Sequence, residues 1–170
     1  MNNYKTMIPF SLLAALLPIT FILAGCQKPS LDSCPYSTDE YQPANAGCLI
    51  TKEDEVVIVT MRRSGKQTIP GGTSEKGETA RCTAYRETFE ETGIRVSVHE
   101  MLAEFSNGFQ LYRCKPIAVE SSPLNPDEIS DVSWRSWLSL NTDNWRYPEF
   151  FIKTRRLIRE QITGISKELE

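Results

Sequence analysis

Glu87, Glu90 and Glu91 stand at i, i+3 and i+4 inside Glu78–Thr92, a stretch with neither Gly nor Pro that is rich in good helix formers. Gly93 follows it and supplies the left-handed stop that many helices use. The spacing predicts a helix that projects all three carboxylates from one face. Cys82, Tyr85 and Phe89, at i, i+3 and i+7, define its apolar face toward a core. Like charges at this spacing repel, and a solvated helix would alternate them with Lys or Arg. The nearby cation here is Arg86. A stripe of acid with so little matching base points to a divalent ion, and all-oxygen ligation selects a hard one such as Mg²⁺ or Mn²⁺. Just ahead, Pro70-Gly71-Gly72 can turn sharply and bring backbone close to a ligand. Backbone N–H groups and helix N-termini suit phosphate.

The 170 residues suit one domain, with 40% hydrophobic and 24% charged residues as in an ordinary globular protein. The net charge of −3 comes without a Lys/Arg block, so a nucleic-acid partner is not expected. The first 25 residues are a different object. Lys5 precedes an apolar run from Ile8 to Ala24, which ends in Leu23-Ala24-Gly25-Cys26. A positive start, an apolar middle and a small-residue exit is the layout of an export signal. A retained membrane anchor is the alternative, weakened by Pro9, Pro18 and the modest length of the run. The last four residues resemble a bacterial lipobox, which implies cleavage before Cys26 and diacylglycerol (with palmitate) on that thiol. By the same resemblance Gln27, which is not Asp, points to the periplasmic face of a Gram-negative outer membrane. The expected organisation is a lipoprotein signal peptide at 1–25, a polar tether at 26–45 and the folded domain at 46–170.

Four cysteines remain: Cys34, Cys48, Cys82 and Cys114. An even count in an exported domain favours disulfides, and three pairings are open. Cys34–Cys48 would pin the tether to the first strand, and Cys82–Cys114 would staple a helix to a strand; this set is favoured over the others and over four free thiols. With no CxxC spacing and His99 as the sole histidine, zinc is not favoured.

Cys48–Ile50 and Val56–Thr60 read as strands around a turn at Lys52–Glu55, and residues 64–77 as a loop. Ile94–Phe105 and Phe109–Val119 flank Asn107-Gly108, a two-residue hairpin signal. A proline-bearing loop covers 121–127, and Val132–Leu138, with Trp134 and Trp137, reads as a strand. Phe151, Thr154, Leu157, Ile158, Ile162, Ile165 and Leu169 recur at helical steps and predict a terminal core helix. The order of elements predicts an α/β fold with a mixed sheet between helices.

Residues 72–94 closely resemble the Nudix box, Gly-x₅-Glu-x₇-Arg-Glu-U-x-Glu-Glu-x-Gly-U with U bulky and apolar. Gly72, Glu78, Arg86, Glu87, Glu90, Glu91, Gly93 and Ile94 fill its positions. Thr88 stands where an aliphatic residue is usual, and Gln67 where many members carry Trp. Pro70-Gly71 before the box and Glu128-Ile129-x-Asp131-Val132-x-Trp134 after it extend the likeness over most of residues 45–140.

The resemblance implies an α/β/α sandwich and a metal-dependent hydrolase of a nucleoside diphosphate linked to another moiety, or of a related envelope diphosphate. A catalytically inactive binding or sensing module of the same fold is the alternative. Position by position, Glu87, Glu90, Glu91 and Glu78 would be metal ligands, and Arg86 would orient the glutamates. Gly71 and Gly72 would shape the loop and help hold the ligand. Glu91 is one candidate base, with Glu128 and Asp127 behind it. Phe105, Phe109, Tyr112, Trp134, Trp137 and Tyr147 are aromatics that could stack a ring, although core or sheet packing is the simpler reading of each.

Overall fold

Which face each strand residue shows decides the layering, because side chains alternate along a strand. The structure, a computed structural model, describes residues 34–37, 42–119 and 125–164. Strand β1 (Ala46–Leu49) runs parallel to β7 (Gln110–Val119), which pairs antiparallel with β6 (Ile94–Glu104). β5 (Gly71–Gly72) closes the other side of β1, for the order β5-β1-β7-β6. A second sheet forms around β3 (Glu55–Met61), paired with β2 (Thr51–Lys52), β4 (Gln67–Thr68) and β8 (Ile129–Ser136).

Cys48, Ile50, Val57, Val96 and Val98 pack with Ala80 and Ala84 of helix α1 (Ala80–Thr92). Their neighbours Leu49, Val56 and Ile58, with Leu111, pack instead with Phe151, Leu157 and Ile158 of helix α2 (Phe151–Thr163). One period-two pattern thus feeds two cores, one under each helix. The helix–sheet–helix arrangement read from the sequence is the one the chain adopts.

Details differ. The hairpin loop has three residues rather than two: Phe105 N–H donates to Phe109 O, and Gly108, at φ 79°, completes a turn by donating to Phe105 O. β8 ends at Ser136, and Trp137 belongs to a short 3₁₀ turn, Trp137–Ser139, on which α2 packs. The loop at 64–77 contains the two short strands β4 and β5. α1 meets the sheet through the small residues Ala80 and Ala84, which allow close approach. The expected Cys82–Tyr85–Phe89 face is covered as well: Cys82 and Phe89 are buried, Cys82 in a disulfide and Phe89 beneath Arg95, and Tyr85 packs against the core and edge-on against Tyr36.

The disulfides correct the favoured pairing. Cys34 bonds to Cys82 and Cys48 to Cys114, in place of Cys34–Cys48 and Cys82–Cys114. The parallel β1–β7 register is the reason for the second. Cys48 lies opposite Tyr112, so Cys114, two residues on, shares its face, and the Cα atoms are 5.4 Å apart. The first follows from where the 34–37 turn sits. Tyr36 O accepts from the Thr79 hydroxyl at 3.3 Å, the Tyr36 hydroxyl accepts from Val98 N–H at 2.7 Å, and Arg81 lies over its ring. These contacts hold Cys34 over the first turn of α1. Residues 1–33, with the export signal, Cys26 and Gln27, lie outside the described residues, as do Ile165 and Leu169. Among the described residues no helix is long and apolar enough to cross a membrane.

Candidate active site

α1 begins cleanly because Thr79 caps it, its hydroxyl accepting from Cys82 N–H at 3.2 Å, and it ends at Gly93, whose N–H donates to Phe89 O. Between these ends the carboxylates are organised by Arg86. Its Nε donates to Glu78 Oε1 at 2.6 Å, one terminal nitrogen to Glu78 Oε2 at 2.9 Å and Thr73 O at 2.9 Å, and the other to Glu87 Oε1 at 3.0 Å and Glu90 Oε2 at 3.1 Å. The stripe is therefore partly compensated from within: one guanidinium serves three acids. Glu78, which precedes the helix and is 1% exposed, also accepts from Glu75 N–H and the Thr83 hydroxyl. Burial pushes its carboxyl up, but the bonds from Arg86, Glu75 and Thr83 outweigh that and hold it below the ordinary range. Burial also opposes the charge on Arg86, and its glutamate partners more than restore it.

Glu91 is not among the three acids that Arg86 bonds. Glu91 is 3% exposed, and its Oε2 accepts from Gly71 N–H at 2.8 Å. Burial pushes its carboxyl up to about 8; the Gly71 bond and the charge of Arg146 resist, while Glu87 and Glu128 add to the rise. Glu87 is raised too, chiefly by burial, with Arg86 opposing and Glu90 and Glu128 adding. Glu90 keeps one buried oxygen, Oε1, without a hydrogen-bond partner among the described residues.

The glycine turn completes the wall. Gly71 pairs with Gly47 across β1–β5, and a Cβ on Gly47 would strike the Phe109 ring. A Cβ on Gly72 would lie 2.5 and 2.6 Å from the two oxygens of Glu87. Gly71 thus positions Glu91 by its N–H, while Gly72 leaves room for Glu87. Opposite them, Arg62 donates to Pro126 O at 2.5 Å and Ile129 O at 3.1 Å, and Asn125 N–H donates to Glu90 O at 3.0 Å. These bonds fasten the loop that carries Glu128. Glu87, Glu91, Glu128, Gly71 and Gly72 line one cavity of about 360 Å³. Glu78, Glu90 and Arg86 stand behind its wall, and Asp127 faces a neighbouring cavity.

The donor set fits a hard divalent ion. Its atoms are carboxylate oxygens, two of the acids are raised by burial and mutual repulsion, and a buried oxygen of Glu90 meets no donor among the described residues. No three acids among the described residues are already drawn around a common point. Glu87, Glu90 and Glu91 would hold the ion, with Glu78 committed to Arg86.

A model of the NUDIX domain matches residues 41–151, well over half of the chain. The chain belongs to the Nudix family. It is 32% identical over 100 residues to a MutT-like protein of Streptomyces ambofaciens, a match covering 51% of this chain and 65% of that one, so it spans under two thirds of the relative's length. Two solved Nudix-like structures superpose with a TM-score of 0.62. One is a UDP-X diphosphatase (19% identity, 78% of this chain and 68% of the other), and one an ADP-ribose pyrophosphatase from Streptococcus suis (18% identity, 76% and 97%). At these identities the likeness shows the shared fold.

Within the Nudix frame both departures have a physical outcome. Thr88 is fully buried and its hydroxyl has no partner among the described residues. Gln67 bridges by its backbone to Trp145, whose ring is buried in the core under α2. The aromatics divide. Phe105, Phe109 and Tyr147 line the cavity; Tyr112 packs in the core under α1; Trp134 and Trp137 lie outside the cavity lining. Sequence reasoning passed over Arg146, Phe150 and Thr154, which also line it. The signal available was the run Trp145-Arg146-Tyr147-Pro148, a dense aromatic and cationic patch in a segment with no helical or strand period.

Proposed function

We propose that this Nudix protein is a metal-dependent pyrophosphohydrolase acting on a diphosphate that joins a nucleoside, or an envelope carrier, to another moiety. The observation that carries the reading is the convergence of Glu87, Glu91 and Glu128 on one cavity beside the Gly71-Gly72 turn. Mg²⁺ or Mn²⁺ bound there would offset repulsion between the acids and the diphosphate and acidify an attacking water. Glu91 holds its proton to about pH 8 in the metal-free site, with Oε2 occupied by Gly71 N–H. Oε1, which has no hydrogen-bond partner among the described residues, is the oxygen that would take a proton from water. Arg86 keeps Glu87 and Glu90 in place without entering the cavity lining.

Residues 1–25 act in this reading as a lipoprotein signal, 26–45 as a tether that is fastened to α1 at the Cys34 turn, and Cys26 as the lipid-bearing residue at the periplasmic face of the outer membrane. The Leu23-Ala24-Gly25-Cys26 run and Gln27 support this part. Membrane fractionation and acyl labelling of wild type against Cys26→Ala test it; labelling that survives the substitution overturns it.

The activity is tested by assaying the purified protein against nucleotide sugars, dinucleotides, ADP-ribose and prenyl diphosphates with Mg²⁺, with Mn²⁺ and with chelator. Cleavage should require metal, and Glu91→Gln should lower it by orders of magnitude while the fold persists. Binding without turnover across the panel would leave the sensing module as the reading.

A further inference from the structure

The β6–β7 ribbon presents apolar side chains to solvent. Ile117 is 69% exposed, Val119 75% and Met101 48%. Lys115 to Val119 are exposed in unbroken succession, so both faces of that strand end are open, because side chains alternate along a strand. The ribbon is also basic. Over residues 94–103 and 111–119 it carries Arg95, Arg113 and Lys115 against Glu100, in a chain whose net charge is −3. Arg113 donates to Glu100 at 2.9 Å and Arg95 lies over the Phe89 ring, while Lys115 stands in solvent.

The path of the N-terminal chain gives this surface a partner. Val98 N–H donates to the Tyr36 hydroxyl and Val98 O accepts from Arg81, so the turn at 34–37 sits on the outer edge of β6. Cys34 is bonded there to Cys82. Met101 lies three residues beyond Val98, and Ile94, four residues before it, pairs with Val119. At about 3.3 Å per residue, Met101, Ile117 and Val119 all fall within about 15 Å of Val98. In the lipoprotein reading Cys26 carries the acyl chains, eight residues before Cys34. Eight residues span at most about 28 Å, and a domain of this size has a radius of gyration of about 14 Å. So short a leash brings the surface around Cys34 to the bilayer. A second copy of the chain is the rival occupant, pairing with β6. The edge is closed to it at its middle, where Val98 has both its N–H and its O engaged.

We propose that the β6–β7 ribbon is a membrane-docking surface: Met101, Ile117 and Val119 enter the headgroup region of an anionic phospholipid bilayer, and Lys115 meets its phosphates. This rests on the lipoprotein reading of Cys26 and goes beyond it, fixing which side of the domain the lipid holds to the membrane.

The test uses the full chain with its native processing, reconstituted in vesicles of phosphatidylethanolamine and phosphatidylglycerol whose acyl chains are brominated just below the headgroup. Bromine quenches tryptophan on contact, so Ile117→Trp and, separately, Val119→Trp report depth. Ile152→Trp is the control, at a position 73% exposed on α2, the helix over the other core. Ile117→Trp and Val119→Trp should each lose about half of the added emission, as side chains about 5–10 Å deep would, and Ile152→Trp under about a tenth. Adding Lys115→Glu to Ile117→Trp, or replacing phosphatidylglycerol by phosphatidylcholine, should cut the quenching about twofold or more. Equal quenching at all three positions, or none at 117 and 119, overturns the docking surface; acyl mass on Cys26 in the same preparation would leave the lipoprotein reading standing. A Cys26 without acyl mass removes the leash, and both readings fall together.

Discussion

Gly72→Ala separates catalysis from folding in one methyl group. The added Cβ would stand 2.5 and 2.6 Å from the Glu87 carboxylate oxygens, where ordinary contact begins near 3.4 Å. Glu87 must therefore retreat by about 1 Å. Backbone strain is not involved, since Gly72 is absent from the positive-φ glycines. The obstacle is the far end of a flexible side chain, so a rotamer shift of about 0.5–1.5 kcal/mol relieves it, and reduced freedom of the unfolded chain returns about 0.4–1 kcal/mol. Stability should change by about 1 kcal/mol or less. Activity should not escape so lightly, because a displacement of about 1 Å at a reacting centre lowers rates about a hundredfold. Gly71→Ala is the control with the opposite outcome: its Cβ would meet Gly47 Cα and Ala46 O, backbone atoms that cannot yield. Thermal denaturation and metal-dependent turnover on the diphosphate panel, run on both variants, give the comparison. Turnover of Gly72→Ala within threefold of wild type, or a melting loss as large as that of Gly71→Ala, refutes the assigned role of Glu87.

Thr88→Val keeps the shape of a fully buried side chain and removes a hydroxyl with no partner among the described residues, so denaturant unfolding should show a gain of about 1 kcal/mol; a loss means the hydroxyl is satisfied in solution. A peptide map under non-reducing conditions should recover Cys34 linked to Cys82 and Cys48 linked to Cys114, and reduction should lower the melting temperature, since each bridge closes a span of 48 or 66 residues with an entropic effect of about 4 kcal/mol. A Cys34–Cys48 peptide would contradict the structure. In chelator, Glu91 ionises less readily folded than unfolded, so its contribution is complete at low pH and is lost as pH rises toward 8. The melting temperature of the metal-free protein should fall between pH 5 and 8, and Glu91→Gln should flatten that slope; an unchanged slope assigns the effect elsewhere.

Much of this site is local, and what is local could be read from the chain. The helix over Glu78–Thr92, its stop at Gly93 and the adjacent glycine turn each follow from residues within one or two turns of one another. The two-helix sandwich follows from strands whose alternate residues are apolar on both faces, as in Cys48-Leu49-Ile50. What was hidden depends on registers between distant strands. Cys48 finds Cys114 only because β1 runs parallel to β7, a pairing across more than sixty residues that no short pattern announces. Arg86 was legible as a neighbour of the acids, but not as the partner of Glu78, which needs the turn ahead of α1 to fold Glu78 inward. Arg146 and Tyr147 enter the cavity through a bridge to Gln67, so their role has no periodic signature at all.

The Cys34–Cys82 bond also sets the path of mechanical load. A pull on the chain ahead of Cys34 passes through sulfur directly into the first turn of α1, bypassing β1. β1 is itself clamped to β7 by the second bond. Tension from the N-terminal side therefore does not load β1, which stands between β5 and β7. Reduction would reroute that force through β1, whose Ala46 and Gly47 hold the Gly71-Gly72 turn in place.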